Sequence, residues 1–191
     1  KCDESEYLTE MKNPENILEI DGLHSYFFTD QGVVKAVNGV SFEIPAGSTV
    51  GVVGESGCGK SVTSMSVMRL LQGPTGQIVE GSIRFRSNDG KVYNIAEMPM
   101  SEIHRIRGRQ IAMIFQEPMT SLNPVMKIGK QVGESLLLHK DSAISFDKEQ
   151  IRTKVLESLR EVGLTDAEKI YDQYPHELSG GMRQRVMIAQ A

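Results

Sequence analysis

Apolar residues change their spacing along this chain. Ile17–Ile20 and Leu23–Phe28 are short apolar or aromatic stretches, and within Val33–Ile44 the residues Val40, Phe42 and Ile44 alternate strictly with polar neighbours. Period two marks a strand with one buried face. Pro45-Ala46-Gly47 reads as a turn. Thr49–Val53 (TVGVV) is short and apolar throughout, as in a strand buried on both faces of a parallel sheet. Ser61–Leu71 predicts a helix, stopped by Gly73-Pro74. Ser82–Arg86 predicts a strand on a polar, solvated sheet. Ser101–Arg107 predicts a short basic helix capped by Ser101, and Ile111–Phe115 (IAMIF) a second buried strand.

Beyond this the pattern turns helical. Pro118 and Pro124 punctuate a loop, after which Ile128, Val132, Leu136 and Leu137 recur at helical spacing. Ile151, Val155, Leu156, Leu159 and Val162 form an apolar stripe. Asp147 with Gln150 predicts a capping box, and Gly163 the stop. Thr165 with Glu168 repeats the box before a short helix ending ahead of Pro175. The pattern divides the chain into a polar, mobile leader (1–15), a β-rich core (16–116), a helical sub-domain (117–178) and a last segment (179–191) that opens a further helix.

The chemistry concentrates at two glycine-rich points. Gly54-Glu55-Ser56-Gly57-Cys58-Gly59-Lys60-Ser61 matches the phosphate-loop pattern. Residues without bulk let successive backbone N–H groups turn onto phosphate oxygens. The helix beginning near Lys60 adds its positive dipole end. Lys60 carries a full charge to the β- and γ-phosphates, and Ser61 offers a hydroxyl to Mg²⁺. An apolar strand pattern entering and a helical pattern leaving tighten the match. Cys58 reads first as a small filler. Its thiol lies among inward N–H groups, so ATP is expected to slow its alkylation. Ser179-Gly180-Gly181 precede a second helix. Alone they read as an ordinary cap; with the phosphate loop they read as a second anion site.

Composition narrows the classes. The 191 residues are 39% hydrophobic and 24% charged, as in a soluble globular protein. No apolar run approaches the roughly 18 residues of a membrane span, and no signal-peptide pattern opens the chain. Both features predict a cytoplasmic protein, one able to dock on a membrane complex. The net charge of −4 and the lack of a clustered basic face disfavour nucleic acid as a partner. The two cysteines, Cys2 and Cys58, suit neither a disulfide framework nor a zinc site; Cys2 reads as a bystander.

Taken together, GESGCGKS (54–61), Phe115-Gln116 and LSGGMRQ (178–184) resemble the Walker A motif, Q-loop and signature of ABC transporter ATP-binding subunits. FQEPMTSLNP (115–124) and YPHELSGGMRQRVMIAQA (174–191) resemble the oligopeptide/dipeptide importer branch, which includes nickel importers. The resemblance runs from Ile17 to the end. It implies an α/β fold: a P-loop NTPase (RecA-like) core with an antiparallel β sub-domain and a helical sub-domain. It implies ATP and Mg²⁺ as cofactors and transport-coupled ATP hydrolysis. Residues 54–62, including Val62, would then hold the nucleotide, with Lys60 and Gln116 catalytic and Ser61 and Gln116 serving the metal. Phe27 would stack on adenine. Tyr26 and Phe28 are close alternatives, and core packing competes for all three. Ser179, Gly180 and Gly181 would meet the γ-phosphate held by a second ATPase subunit. The remaining implied partners are two membrane-spanning permease subunits and, indirectly, an extracytoplasmic substrate-binding protein, with the chain peripheral on the cytoplasmic face of the membrane.

The sequence departs from that pattern in two ways. Val62 stands where many relatives have threonine, which removes one hydroxyl contact to the α-phosphate and leaves the backbone N–H. The Walker B acidic residues and the switch histidine do not appear. The chain therefore reads as an N-terminal fragment whose later core strands are missing, with negligible hydrolysis alone, since loss of a general base costs about 10²–10⁴ in rate. A soluble ABC-type ATPase outside transport and a non-hydrolysing nucleotide-binding fragment are the competing readings.

Overall fold

A computed structural model describes residues 6–71, 73–116, 121–138 and 147–191. Cys2, Pro118 and the middle of the 115–124 stretch lie outside the described residues. The chain forms two compact units, Lys1–Ile111 and Ala112–Ala191.

The first unit is built on four antiparallel strands: β1 (Asn16–Thr29), β2 (Gly32–Pro45), β3 (Gly76–Arg86) and β4 (Val92–Asn94). Their spatial order is β2-β1-β3-β4. Alternation puts Leu18, Ile20, Ile83 and Phe85 on one face, where they join Leu23, Tyr93, Ile95, Ile103 and Ile106 in the core. The two stretches expected at 17–20 and 23–28 are one strand. The register of β1 shifts between Ile20 and Leu23 on the β2 side, and between Asp21 and His24 on the β3 side. Opposite lies Gly81, where a Cβ would come within 2.3 Å of the Gly22 carbonyl oxygen. β3 begins six residues before the expected Ser82, because Gly76–Glu80 pairs with the second half of β1 through its backbone. Its Ile83 and Phe85 are buried, so only one face of this strand is solvated.

A buried carboxylate braces the start of the sheet. Glu19 accepts from the N–H groups of Lys12 and Asn13, both at 2.8 Å, and from Asn16 Nδ2 at 2.9 Å, with Arg84 at 3.7 Å. Burial works to raise the Glu19 pKa. The hydrogen bonds from Asn13, Lys12 and Asn16 and the Arg84 charge outweigh it and hold the carboxyl below its ordinary range.

Both expected buried strands fail to form. Thr49–Val53 enters no ladder, and Val50, Val52 and Val53 are 40%, 54% and 93% exposed. Ile111–Phe115 makes one bridge, between Arg107 and Ile111, and leaves Ile114 and Phe115 about half exposed. An apolar strand is buried only when neighbours flank it, and among the described residues no strand pairs with either segment. The helix expected at 101–107 is a single 3-10 turn, Ile103–Arg105, flanked by Glu102 rather than capped by Ser101.

The second unit is helical: α2 (Ile128–Leu138), α3 (Lys148–Glu161), α4 (Ala167–Asp172) and α5 (Gly180–Gln190), with a 3-10 turn at Pro175–Glu177. Ile128, Val132, Val155, Leu159, Ile170, Val186 and Met187 share its core. The box ahead of α3 forms as expected: Gln150 N–H donates to Asp147 Oδ1 (2.8 Å), and Asp147 N–H donates to Gln150 Oε1 (3.0 Å). The box expected at Thr165 does not form. Asp166 precedes α4 without a side-chain cap, and the Glu168 carboxylate takes a hydrogen bond from Arg160 instead.

Candidate functional site

The helix expected at 61–71 is α1 (Lys60–Val67), the one helix of eight or more residues described in the first unit. Two left-handed glycines lead into it, Gly57 (φ 84°) and Gly59 (φ 94°). A side chain at either position would strain the backbone. At Gly59 there is also no room, since a Cβ would lie 2.3 Å from the backbone oxygen of Ala36 on β2. The loop is therefore seated on the sheet by a contact that only glycine permits.

Lys60 closes the loop. Its Nζ donates to the carbonyl oxygens of Gly54 (2.6 Å) and Glu55 (2.7 Å) and lies 3.4 Å from Cys58 Sγ. A Cβ on Gly54 would meet Cys58 Sγ at 2.6 Å and approach the Lys60 ammonium to 3.9 Å. Residues 54–58 and Ser61 are exposed, while Gly59, Lys60 and Val62 are half-buried. Val62 packs on the core of the first unit. Thr63, which sequence reasoning passed over, holds the turn from behind: its N–H and its hydroxyl both donate to the Gly59 carbonyl, at 2.9 and 3.1 Å. The helix face turned to the sheet carries Ser66, whose hydroxyl donates to Val62 O (2.7 Å) and lies 2.8 Å from the buried Ser25 hydroxyl of β1.

Phe27 is half-buried in β1, between Val34 of β2 and Gly76 of β3. A Cβ on Gly76 would touch its ring at 2.9 Å. Tyr26, on the opposite face, donates its hydroxyl hydrogen to Asn38 Oδ1 (2.8 Å) under the ammonium of Lys35. Phe28 is the more exposed neighbour, at 41%.

The remaining candidates belong to the second unit. Gln116 is exposed, just after the 112–115 segment, which joins no strand. Ser179 is the N-cap of α5, its hydroxyl accepting from Met182 N–H at 3.3 Å. Leu178 beneath it is buried, while Ser179, Gly180 and Gly181 are exposed. A Cβ on Gly180 or Gly181 would meet nothing within 4 Å. The turn before the cap is firm: Tyr174 N–H donates to Glu177 Oε2 (2.6 Å), and the Tyr174 ring stacks on His176.

Comparison with known proteins bears on the family and the fold. The family model described as "ABC transporter" matches residues 37–191. The oligopeptide transport ATP-binding protein AppD of Bacillus subtilis is 47% identical over 173 residues, covering 91% of this chain and 50% of that protein. The dipeptide transport ATP-binding protein DppD of Bacillus subtilis is 46% identical over 177 residues, 93% of this chain and 50% of that protein. The chain thus spans about half the length of these relatives. Among solved structures, the dimeric bacterial ABC transporter cassette MJ0796 aligns with a TM-score of 0.76 at 24% identity, covering 91% of this chain and 68% of that one. A post-hydrolysis state of the same cassette bound to ADP and Pi aligns with a TM-score of 0.75. With the family model spanning most of its residues and a matching fold, this chain belongs to the ABC transporter family.

Proposed function

We propose that this chain is the nucleotide-binding portion of an ATP-binding subunit that powers import of di- or oligopeptides. The observation that carries the reading is the Lys60 ammonium folded back onto the 54–59 loop, where its partners among the described residues are the carbonyls of Gly54 and Glu55 and the sulfur of Cys58. A charge-assisted bond is roughly twice as strong as a neutral one. Phosphate oxygens would therefore draw Lys60 off the carbonyls of Gly54 and Glu55. The loop fits a polyphosphate: it is closed by glycines, exposed along residues 54–58, and followed by the free N–H groups of a helix start.

In this reading Gly54, Glu55, Ser56, Gly57 and Gly59 offer backbone donors, Cys58 adds its N–H on leaving the Glu55 carbonyl it now meets at 3.3 Å, and the Val62 N–H extends the row. Ser61 offers its hydroxyl to Mg²⁺, and Gln116 holds the metal and the attacking water. Phe27 presents a ring face to adenine. Ser179, Gly180 and Gly181 serve the nucleotide of a second ATPase subunit. In support, no packing among the described residues explains two adjacent glycines at the exposed start of α5. When bound, the triphosphate supplies the anhydride whose cleavage resets the pair of subunits. The protein would drive two permease subunits from the cytoplasmic face of the membrane, with an extracytoplasmic binding protein delivering substrate. None of the described helices is long and apolar enough to cross a membrane. The names of the peptide-transport relatives support the choice of cargo.

The test uses the full-length protein. A fluorescent ATP analogue should bind the parent and lose affinity at least tenfold in Lys60→Ala, in keeping with loss of a charged contact. No binding by the parent, or equal binding by the variant, sinks the reading. Stimulation of ATP hydrolysis by peptide in the assembled complex tests the cargo.

A further inference from the structure

The far end of α1 is held by two arginines. Helix α1 stops at Val67, and Arg69 follows in a left-handed conformation (φ 50°), uncommon for a residue with a side chain. The Arg69 Nη1 donates to the carbonyl oxygens of Ile95 (2.7 Å), Ala96 (2.7 Å) and Met98 (3.1 Å). Arg107 returns the grip: its Nε donates to Met68 O (2.8 Å) and its Nη2 to Arg69 O (2.7 Å). One guanidinium thus ties the helix end to the 95–98 turn. The other, from the turn that bridges to Ile111, takes the two carbonyls just past the helix, those of Met68 and Arg69, in a fork.

This arrangement is unfavourable taken alone. Burial pulls the pKa of both guanidiniums below the usual arginine value, and the charge of Arg107 adds to the effect on Arg69. Two neighbouring cations and a strained backbone persist only where the surroundings over-determine them. The same helix carries Lys60 and Ser61 at its other end, about 12 Å away by helical rise. A short rod pinned at its C-terminal end has little freedom to tilt at its N-terminal end.

We propose that Arg69 and Arg107 are positioning residues for the phosphate loop: an interlocked pair of guanidiniums that fixes α1, and through it the Lys60 ammonium and Ser61 hydroxyl. This rests on the reading that the loop binds a nucleotide triphosphate. Arg107 does so through two parallel donors aimed at adjacent carbonyls. Lysine at that position keeps the charge and loses the fork.

The experiment uses the full-length protein and Arg107→Lys, with Arg107→Ala as a stronger lesion. The readouts are the dissociation constant for a fluorescent ATP analogue, kcat and KM for hydrolysis in the assembled complex, and thermal melting. Misplacement remote from the chemistry can cost up to 10²-fold, so Arg107→Lys should weaken nucleotide binding about fivefold and lower kcat. Its melting temperature should stay within about 2 °C of the parent, a shift of less than 1 kcal/mol for a domain of this size. If Arg107→Lys melts earlier yet keeps the parent's dissociation constant, kcat and KM, the pair is a structural staple only and the proposal is overturned. If the parent itself binds no nucleotide, both this proposal and the reading beneath it fall. If Lys60→Ala abolishes binding while both Arg107 variants bind as the parent does, this proposal alone falls.

Discussion

The loop before α1 and the loop before α5 look alike in sequence, each a run of small residues opening a helix. They differ in what the glycines answer to. At Gly59 the demand is internal: φ is 94°, and the Ala36 carbonyl stands where a Cβ would go. Lys60 then folds back onto the carbonyls of the same loop. At Gly180 and Gly181 nothing lies within reach of an added Cβ, and glycine there weakens the helix it begins. One loop is glycine-rich because the chain itself requires it. The other has room for a side chain and lacks one, which fits a surface reserved for something outside the chain.

Substitutions break or sharpen that contrast. The largest effect is expected at Gly59→Ala, which adds left-handed strain to a backbone clash and should destabilise the full-length protein by about 3 kcal/mol in urea unfolding. A change below about 0.5 kcal/mol would mean that the seat on Ala36 yields easily.

Acid should separate the two units next. The Glu19 carboxyl is held below its ordinary range in the fold. Its contribution is present above the pKa it has when unfolded and disappears as pH falls through the folded value. Removing the charged acceptor is worth about 2 kcal/mol. The corresponding carboxylate of the second unit, Glu168, is more than half exposed, and solvent screens its pairing with Arg160. Hydrogen exchange from neutral pH down through the carboxylate range should therefore show Asn16–Thr29 losing protection before Lys148–Glu161, and Glu19→Gln should flatten the difference. Simultaneous loss in both units would contradict the assignment.

Smaller effects belong to the second loop. Ser179→Ala removes the hydroxyl that receives Met182 N–H, and a lost cap costs about 1 kcal/mol. Gly181→Ala should stabilise α5 by about 0.5 kcal/mol, as alanine replaces glycine in a helix with room for it. Under the proposed function this stabilised variant transports poorly. A variant that melts higher and transports normally would remove the reason offered for the bare surface.

The sequence made some of this structure legible and hid the rest for physical reasons. Strict alternation in β2 and the Asp147–Gln150 box are local signals, decided by residues that touch one another, and both elements form as expected. Thr49–Val53 and Ile111–Phe115 are equally plain patterns with the opposite outcome. An apolar run states what a segment can bury, and burial requires a neighbour that the run does not contain. The same limit applies at the site. The glycine spacing and Lys60 could be read directly. The end of α1 at Val67 could not, because the carbonyls just beyond it, those of Met68 and Arg69, are taken by Arg107, 40 residues after Val67. Arg107 sits in a run that reads as a short basic helix, and nothing in that run marks one of its arginines as half-buried and turned onto backbone carbonyls.

The buried hydroxyls of Ser25 and Ser66 have a direction. Ser66 has one hydrogen, and it goes to Val62 O, so Ser25 must be the donor between the two. Ser25→Ala therefore takes away only a bond that Ser66 accepts. Ser66→Ala leaves a buried O–H on β1 pointing at a methyl group, and an unmet donor carries the full desolvation penalty, about 1–3 kcal/mol. Two residues that appear symmetric in a contact map are thus unequal in the cost of losing them: alanine is cheap at the strand serine and penalised at the helix serine.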